Sequence, residues 1–260
     1  MRIHPFIPAL LAAAILFAHS ALAQSVSSTT TIQSAFVTDG TLNGASQAGY
    51  NFGAAGTMAL AGADSSNGTL ESLMEFNLSS IEAGFNTEYG VGNWSISGVS
   101  LSLASNFAVQ GQQPNNAIFP TISAGGFGLA WIPDNSWIAG TGTPGSDTTS
   151  GVTYNTLGPV VSGSENVGTF TYTPPGDNVY VTYSLAPTSD LLSDITNGGD
   201  LSLAAFPTNN TVSYLFNTVK YGGGSNEPVL TVTAVPEPAA WGSILMGLTG
   251  LVLLRQRRRA

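Results

Sequence analysis

The chain has 260 residues, of which only 8% are charged, and its formal net charge at pH 7 is −9. Residues 24–235 hold fourteen Asp and Glu but one basic side chain, Lys220, and this charge of −13 excludes nucleic acid as a partner. There is no Cys, and both His lie in the first 23 residues, so the remaining chain excludes disulfides, His-dependent triads and His-ligated zinc.

The N-terminus, residues 1–23, has the pattern of a secretory signal peptide. A basic residue precedes the apolar stretch 9–18, and the small-residue sequence Ala21-Leu22-Ala23 follows it. We predict cleavage between Ala23 and Gln24. A membrane anchor is the alternative, but the apolar stretch is shorter than the roughly 20 residues that span a bilayer.

Strands dominate the predicted body, residues 24–234. Apolar and polar residues alternate with a period of two in eight or more segments. These segments contain Met74, Trp94, Leu101, Phe127, Phe170, Val181, Leu201, Tyr214 and Leu230. The alternation changes phase at Gly98, which predicts a β-bulge. Without any βαβ pattern, the sequence predicts an all-β fold, a two-sheet antiparallel sandwich of jelly-roll type in a single domain.

One short helix is predicted within residues 188–199. Ser189 or Asp190 is placed to cap it, an apolar stripe runs to Ile195, and Gly198 ends it.

The body also resembles a known class of sandwich domain. The segments LMEFNLSSIEAG, WIPDNSWIAGTGT and EPVLTVT are similar, in this order, to the DNRLRE-type, carbohydrate-binding-module-like sandwiches. The resemblance covers about residues 65–234. Glu75 stands where that pattern has a basic residue, and Tyr154-Asn155 replaces Trp-Asn. The resemblance therefore implies the fold more than a particular ligand.

Aromatic side chains are the candidates for sugar binding, since their rings stack on sugar rings. We single out Trp137, in a predicted loop, and Tyr154. For Trp137 a core position is an equal alternative. Trp131 alternates with Phe127 and Leu129, which favours the core.

Acidic residues offer candidates for calcium and for catalysis. Asp190, Asp194 and Asp200 are candidate ligands of a structural Ca²⁺, which takes six to eight oxygens, and a solvated acidic surface is the alternative. Glu71 and Glu75 share a strand face but lie about 13 Å apart. No carboxylate pair has a supporting motif for glycoside hydrolysis. We therefore predict no catalytic residue, and no cofactor other than a possible structural calcium.

The C-terminus combines three features in residues 235–260. Pro236-Glu237-Pro238 comes first, and an uncharged, largely apolar run over residues 239–254 follows. This run is about 24 Å long as a helix, which predicts a single transmembrane helix. A basic tail closes the chain, with Arg255, Arg257, Arg258 and Arg259. By the positive-inside rule this tail stays cytoplasmic and the body lies on the other side.

These three features resemble the PEP-CTERM sorting signal of Gram-negative bacteria. The resemblance implies an exosortase, a membrane protease or transpeptidase, as a partner, with transient anchoring in the inner membrane and cleavage near the motif. It also implies a final place at the cell surface or in the extracellular matrix, associated with exopolysaccharide and biofilm. An ordinary C-terminal anchor is the alternative for the tail. For the body, the alternatives to a non-catalytic matrix protein are a carbohydrate-binding module, a Ca²⁺-dependent adhesin and a polysaccharide hydrolase.

Overall fold

The computed structural model describes residues 24–63, 67–144, 146 and 148–237, and within them the fold is all-β. The strands are β1 (Ser25–Thr38), β2 (Thr41–Leu42), β3 (Ala45–Ser46), β4 (Thr57–Ala61), β5 (Leu70–Asn77), β6 (Trp94–Ala104), β7 (Gly125–Ile132), β8 (Glu165–Tyr172), β9 (Tyr180–Leu185), β10 (Asp200–Pro207), β11 (Ser213–Asn217) and β12 (Val229–Pro236). The helices are α1 (Ser79–Tyr89), α2 (Tyr154–Val160) and α3 (Ser189–Asn197).

The two predicted membrane-directed segments, residues 1–23 and 239–254, lie outside the described residues. Within the described ranges, no helix is both long enough and apolar enough to cross a bilayer.

The long strand β1 divides one ten-stranded antiparallel sheet into two halves. Its residues 25–30 pair with β12, and the stretch from Thr31 to Thr38 pairs with β5. A register shift between Thr31 and Gln33 marks the point where the strand passes from one half to the other. The first half-sheet has the order β1-β12-β6-β9 and the second half-sheet the order β1-β5-β10-β7-β8, with β4 and β11 attached beside β5.

The inner faces of the two half-sheets share one apolar core. Leu103 of β6 and Val232 of β12 belong to the same buried cluster as Met74 of β5. Across the core, the rings of Phe127 (β7) and Tyr183 (β9) meet edge to face with centroids 5.1 Å apart. The apolar residues of the period-two alternation seen in the sequence therefore lie on the inward-facing side of each strand.

The helix α3 confirms the one helix predicted from the sequence. Its N-cap is Thr188, one residue earlier than predicted, and Gly198 ends it in the left-handed conformation at φ 66°. Leu191 and Ile195 lie one turn apart and are both buried, so they attach the helix to the core.

The helix α1 was not predicted. It follows β5 directly, and the side chain of Asn77 accepts a hydrogen bond from the Ser79 N–H at 3.2 Å. Ile81 and Phe85 bury one face of the helix, and the Phe85 ring packs on Trp94 at a centroid distance of 5.0 Å. The helix thus closes one end of the core, next to α3.

The predicted β-bulge in β6 is confirmed. Thr233 of β12 pairs with Gly98, but the next residue, Ala234, pairs with Ile96, so Ser97 is an extra residue on β6. This bulge explains the change of phase in the sequence, because the extra residue moves the apolar side chains back to the inner face.

The outer face of the second half-sheet is covered by another segment of the polypeptide instead of being exposed to solvent. We call residues 133–144 and 148–160 the covering segment, which ends in α2. Trp137 and Leu157 of this segment pack with Leu73 of β5 and Ala204 of β10 in a second buried cluster. The central strands β5 and β10 are consequently buried on both faces over the length that this segment covers, and a cleft opens on the outer face where the covering segment ends.

Candidate functional site

A cleft of about 450 Å³ opens on the outer face of the second half-sheet, past the end of α2. Its floor is formed by outward-facing side chains of β5, β7 and β10, among them Glu71 and Phe206. Three segments form the walls: the chain after β4 with Gly62 and Ala63, the chain after α2 with Val161 and Ser164, and residues 207–210 at the end of β10 and in the loop after it. Loops held on a rigid sheet are a common setting for binding sites.

Strand register places Glu71 and Phe206 side by side on the cleft floor. The β5–β10 ladder runs to the pair Ser72–Ala205, and Glu71 and Phe206 are the next residues on the two strands. Phe206 also pairs with Gly128 of β7, where a Cβ would lie 2.4 Å from the ring atom Cζ. Because Gly128 has no side chain, the Phe206 ring lies across β7 instead of standing away from it.

Glu71 is a partly buried carboxyl group in an acidic neighbourhood. Burial raises the pKa of Glu71, and the nearby carboxylate of Asp39 raises it further. Asp39 is held in place because its Oδ1 accepts the Thr69 N–H at 2.7 Å. The one basic side chain in the described part of the chain, Lys220, lines a different depression, so Glu71 has no cationic partner there.

Tyr154, the first residue of α2, interacts with Asp39 and Glu71. Burial raises the pKa of the Tyr154 hydroxyl, with further contributions from the charges of Asp39 and Glu71 and a side-chain hydrogen bond to Asp39. The Tyr154 hydroxyl is thus close to Asp39 and Glu71, while the residue packs against the second buried cluster and is not among the residues that line the cleft.

A second carboxyl group, Glu75, is buried beneath the covering segment and is only 3% exposed. Its Oε2 accepts a hydrogen bond from Gln33 Nε2 at 2.5 Å. Burial raises the pKa of Glu75, the hydrogen bond from Gln33 lowers it, and the charges of Asp200 and Asp134 raise it again. The sequence indicated only that Glu75 faces away from the core, not that the outer face is covered.

Because the pKa values of Glu71 and Glu75 are raised, we expect the stability of the fold to decrease as the pH rises. A carboxyl with a raised pKa in the folded state stabilises the fold as the pH falls through that pKa toward the unfolded value of about 4.3. We therefore expect the free energy of unfolding, measured by urea titration, to be higher at pH 5 than at pH 8. In the double variant Glu71→Gln/Glu75→Gln this difference should shrink, whereas the exposed control Glu88→Gln should keep it. A stability that rises from pH 5 to pH 8 would contradict the prediction.

Of the two equal alternatives for Trp137, sugar stacking and a core position, its burial favours the core. Trp137 is 5% exposed, and its indole Nε1–H donates to Ser202 Oγ at 2.9 Å on the covered face of the sheet. Its ring belongs to the second buried cluster. An indole packed in this way has no open face for a sugar ring, so Trp137 is a core residue of the covering segment.

Two of the three aspartates predicted as calcium ligands accept hydrogen bonds from different side chains. Asp194 Oδ2 accepts the indole N–H of Trp131 at 2.7 Å, and Asp200 Oδ1 accepts Asn77 Nδ2 at 2.7 Å. Asp190 lies in the first turn of α3. Among the described residues, no three His, Cys, Asp or Glu side chains group closely enough to hold a metal ion.

The predicted sorting motif begins inside the sheet. Val235 and Pro236 are the last residues of β12, where Pro236 pairs with Trp94 of β6. The next N–H, that of Glu237, donates to the Asn93 carbonyl at 2.9 Å. Pro238, the arginine tail and Ala23, the last residue of the predicted signal peptide, lie outside the described residues, and Gln24 is the first residue described.

Sequence reasoning missed Phe206 and considered Glu71 only as half of a catalytic pair. The cleft depends on the pairing of Phe206 with Gly128, which are 78 positions apart, so no local pattern reveals it. The Gly-rich start of β7 is the only local signal that a neighbouring aromatic ring could lie across that strand.

Comparison with known proteins assigns no family. No protein-family model matches the chain, and no curated protein is significantly similar to it. A proposal about function therefore has to be argued from the terminal sequence patterns, the covered sheet face and the cleft.

Proposed function

We propose that this protein is exported, processed near Pro236-Glu237-Pro238 by an exosortase-type membrane transpeptidase, and retained as a non-catalytic component of the extracellular polysaccharide matrix of a Gram-negative bacterium. The signal-peptide pattern and the PEP-CTERM-like tail support this routing. The acidic all-β body supports a role as exported cargo, because its charge keeps it soluble and away from nucleic acid.

One observation carries the proposal. Ser25, the second residue after the predicted signal cleavage, pairs with Ala234, the last residue before the predicted sorting signal. Because β1 and β12 are antiparallel, the chain enters and leaves the body at the same end. The chain segments that precede Ser25 and follow Ala234 thus leave the body at one end, an arrangement suited to removing both, although Val235 and Pro236 still pair within β12.

The strand order supports a finer description of the fold, a jelly-roll sandwich. The first strand pairs with the last, and the order β1-β12-β6-β9 packs across the core from β5-β10-β7-β8. This is the order of eight strands in two Greek keys, with β4 and β11 as additions. Jelly rolls occur in exported and carbohydrate-binding proteins, but fold alone assigns no function.

The intact mass of the protein recovered outside the cell tests the routing. In a host with an exosortase-type enzyme, we expect a chain that begins at Gln24 and has lost the apolar run and the arginine tail. In a host without that enzyme, the tail should stay on the chain, and the protein should stay with the inner membrane. An extracellular chain that still carries Arg255–Arg259 would contradict the proposal.

A matched pair of variants distinguishes the loss of the glutamate in the motif from the loss of any nearby negative charge. We expect Glu237→Ala to leave the tail uncut, whereas Glu227→Ala, the same change ten residues earlier, should be processed normally. Equal processing of both variants would show that the motif is not what the enzyme recognises.

A further inference from the structure

We propose that the cleft floored by Glu71 and Phe206 is a binding site for a neutral, hydroxyl-rich polysaccharide chain. The inference rests on the proposed function for the origin of that glycan, and it replaces Trp137 as the aromatic contact. The volume of about 450 Å³ falls within the range of ordinary ligand sites, roughly 300–1,000 Å³.

The aromatic ring on the floor supplies the apolar contact. Phe206 is half-buried and lines the cleft, while its ring lies across Gly128. A ring fixed against a sheet in this way loses little conformational freedom when a sugar ring packs on it. The apolar face of a pyranose matches such a surface, whereas its equatorial hydroxyls require polar groups around the ring.

The polar groups around Phe206 are neutral hydrogen-bonding side chains. Ser164, Thr208 and Asn210 are exposed at the cleft walls. Hydroxyl and amide groups of this kind both donate and accept hydrogen bonds, as sugar hydroxyls do. Asn209 has a different role, since its Oδ1 accepts the Thr211 and Val212 N–H groups at 3.2 and 3.1 Å and so shapes the wall.

Glu71 supplies an acceptor that has no cationic side chain beside it in the described part of the chain. A partly buried carboxylate next to another acid gains most from a ligand that brings hydrogen-bond donors. Sugar hydroxyls are such donors and carry no charge. In contrast, uronate or sulfate groups would meet the Glu71 carboxylate, with the charge of Asp39 close behind it, in a body with a charge of −13, so the charge selects neutral glycans over acidic ones.

Affinity electrophoresis of the full-length chain, in native gels with a sugar-free detergent, tests the site. The gels contain hydroxyethylcellulose, dextran or galactomannan as neutral probes and polygalacturonate as the acidic probe. We expect retardation by at least one neutral polymer and none by polygalacturonate. Phe206→Ala should weaken binding to the retarding polymer about tenfold. Asn210→Ala should also weaken this binding and should leave the fold unaffected, because Asn210 is exposed at the cleft wall.

The control is Ile138→Ala, which removes an apolar side chain that is 67% exposed and outside the cleft. It should bind as the wild type does. Absence of retardation by all three neutral polymers, or equal retardation of the wild type and both cleft variants, would overturn the proposal. Because this assay uses purified chain, its result is independent of export: processing without glycan binding refutes only the cleft, and binding without processing refutes only the routing.

Discussion

Replacing Asn51 by alanine is expected to lower the free energy of unfolding by about 4 kcal/mol, because four buried backbone groups would each lose a partner at about 1 kcal/mol or more. Asn51 is fully buried, and its Nδ2 donates to the carbonyls of Ala139 and Val152. Its Oδ1 accepts the N–H groups of Gly53 and Gly142 at 3.1 and 3.2 Å. One side chain thus fastens two separate parts of the covering segment to the loop between β3 and β4.

Urea titration at pH 7 measures this loss. The control Asn197→Ala removes an exposed amide at the end of α3 and should change the free energy of unfolding by no more than about 0.5 kcal/mol. If Asn51→Ala cost no more than this control, the four hydrogen bonds of Asn51 would not be what holds the covering segment in place.

Replacing Trp137 by alanine is expected to cost about 3–5 kcal/mol of the free energy of unfolding, as for other buried aromatic side chains. The change would leave a cavity between the covering segment and the sheet, and would leave Ser202 Oγ without its donor. Trp137→Phe fills most of that volume and should cost clearly less. The measurement is a denaturant titration with fluorescence and circular dichroism.

The retardation of the same Trp137 variants in polysaccharide-containing gels distinguishes a core role of Trp137 from a sugar-stacking role. A core residue loses stability and leaves glycan binding by the remaining folded chain unchanged. A sugar-stacking residue would show the reverse, with normal stability and lost binding. The neighbouring Ile138→Ala serves as the control for both measurements, since Ile138 is exposed.

The strands with period-two alternation were predictable because each has one face in the shared core. Phe127, Leu129 and Trp131 are an example, and all three are buried in β7. The strand β1 was not singled out, although it is the longest. Its first part, SVSSTTT, is a run of Ser and Thr without alternating apolar residues, and its place is decided by its pairing with β12 and β5.

Two of the three helices also lacked a usable local signal. The helix α2 contains Gly158 and Pro159, which are poor helix formers, and a capping box at Thr153 and Thr156 starts it. The helix α1 has only Ile81 and Phe85 as buried residues. In both cases the helix exists because its few apolar residues complete a cluster built by other parts of the chain.

By itself the sequence determined the all-β class, the position of α3 and the bulge in β6, because periodicity and capping are local properties of neighbouring residues. Only the tertiary structure decided that Trp137 and Glu75 are covered, that Glu71 and Phe206 share a cleft floor, and that Ser25 pairs with Ala234. These facts depend on which strands pair and on what covers the outer face. Such contacts join residues far apart in the chain, so no local pattern encodes them.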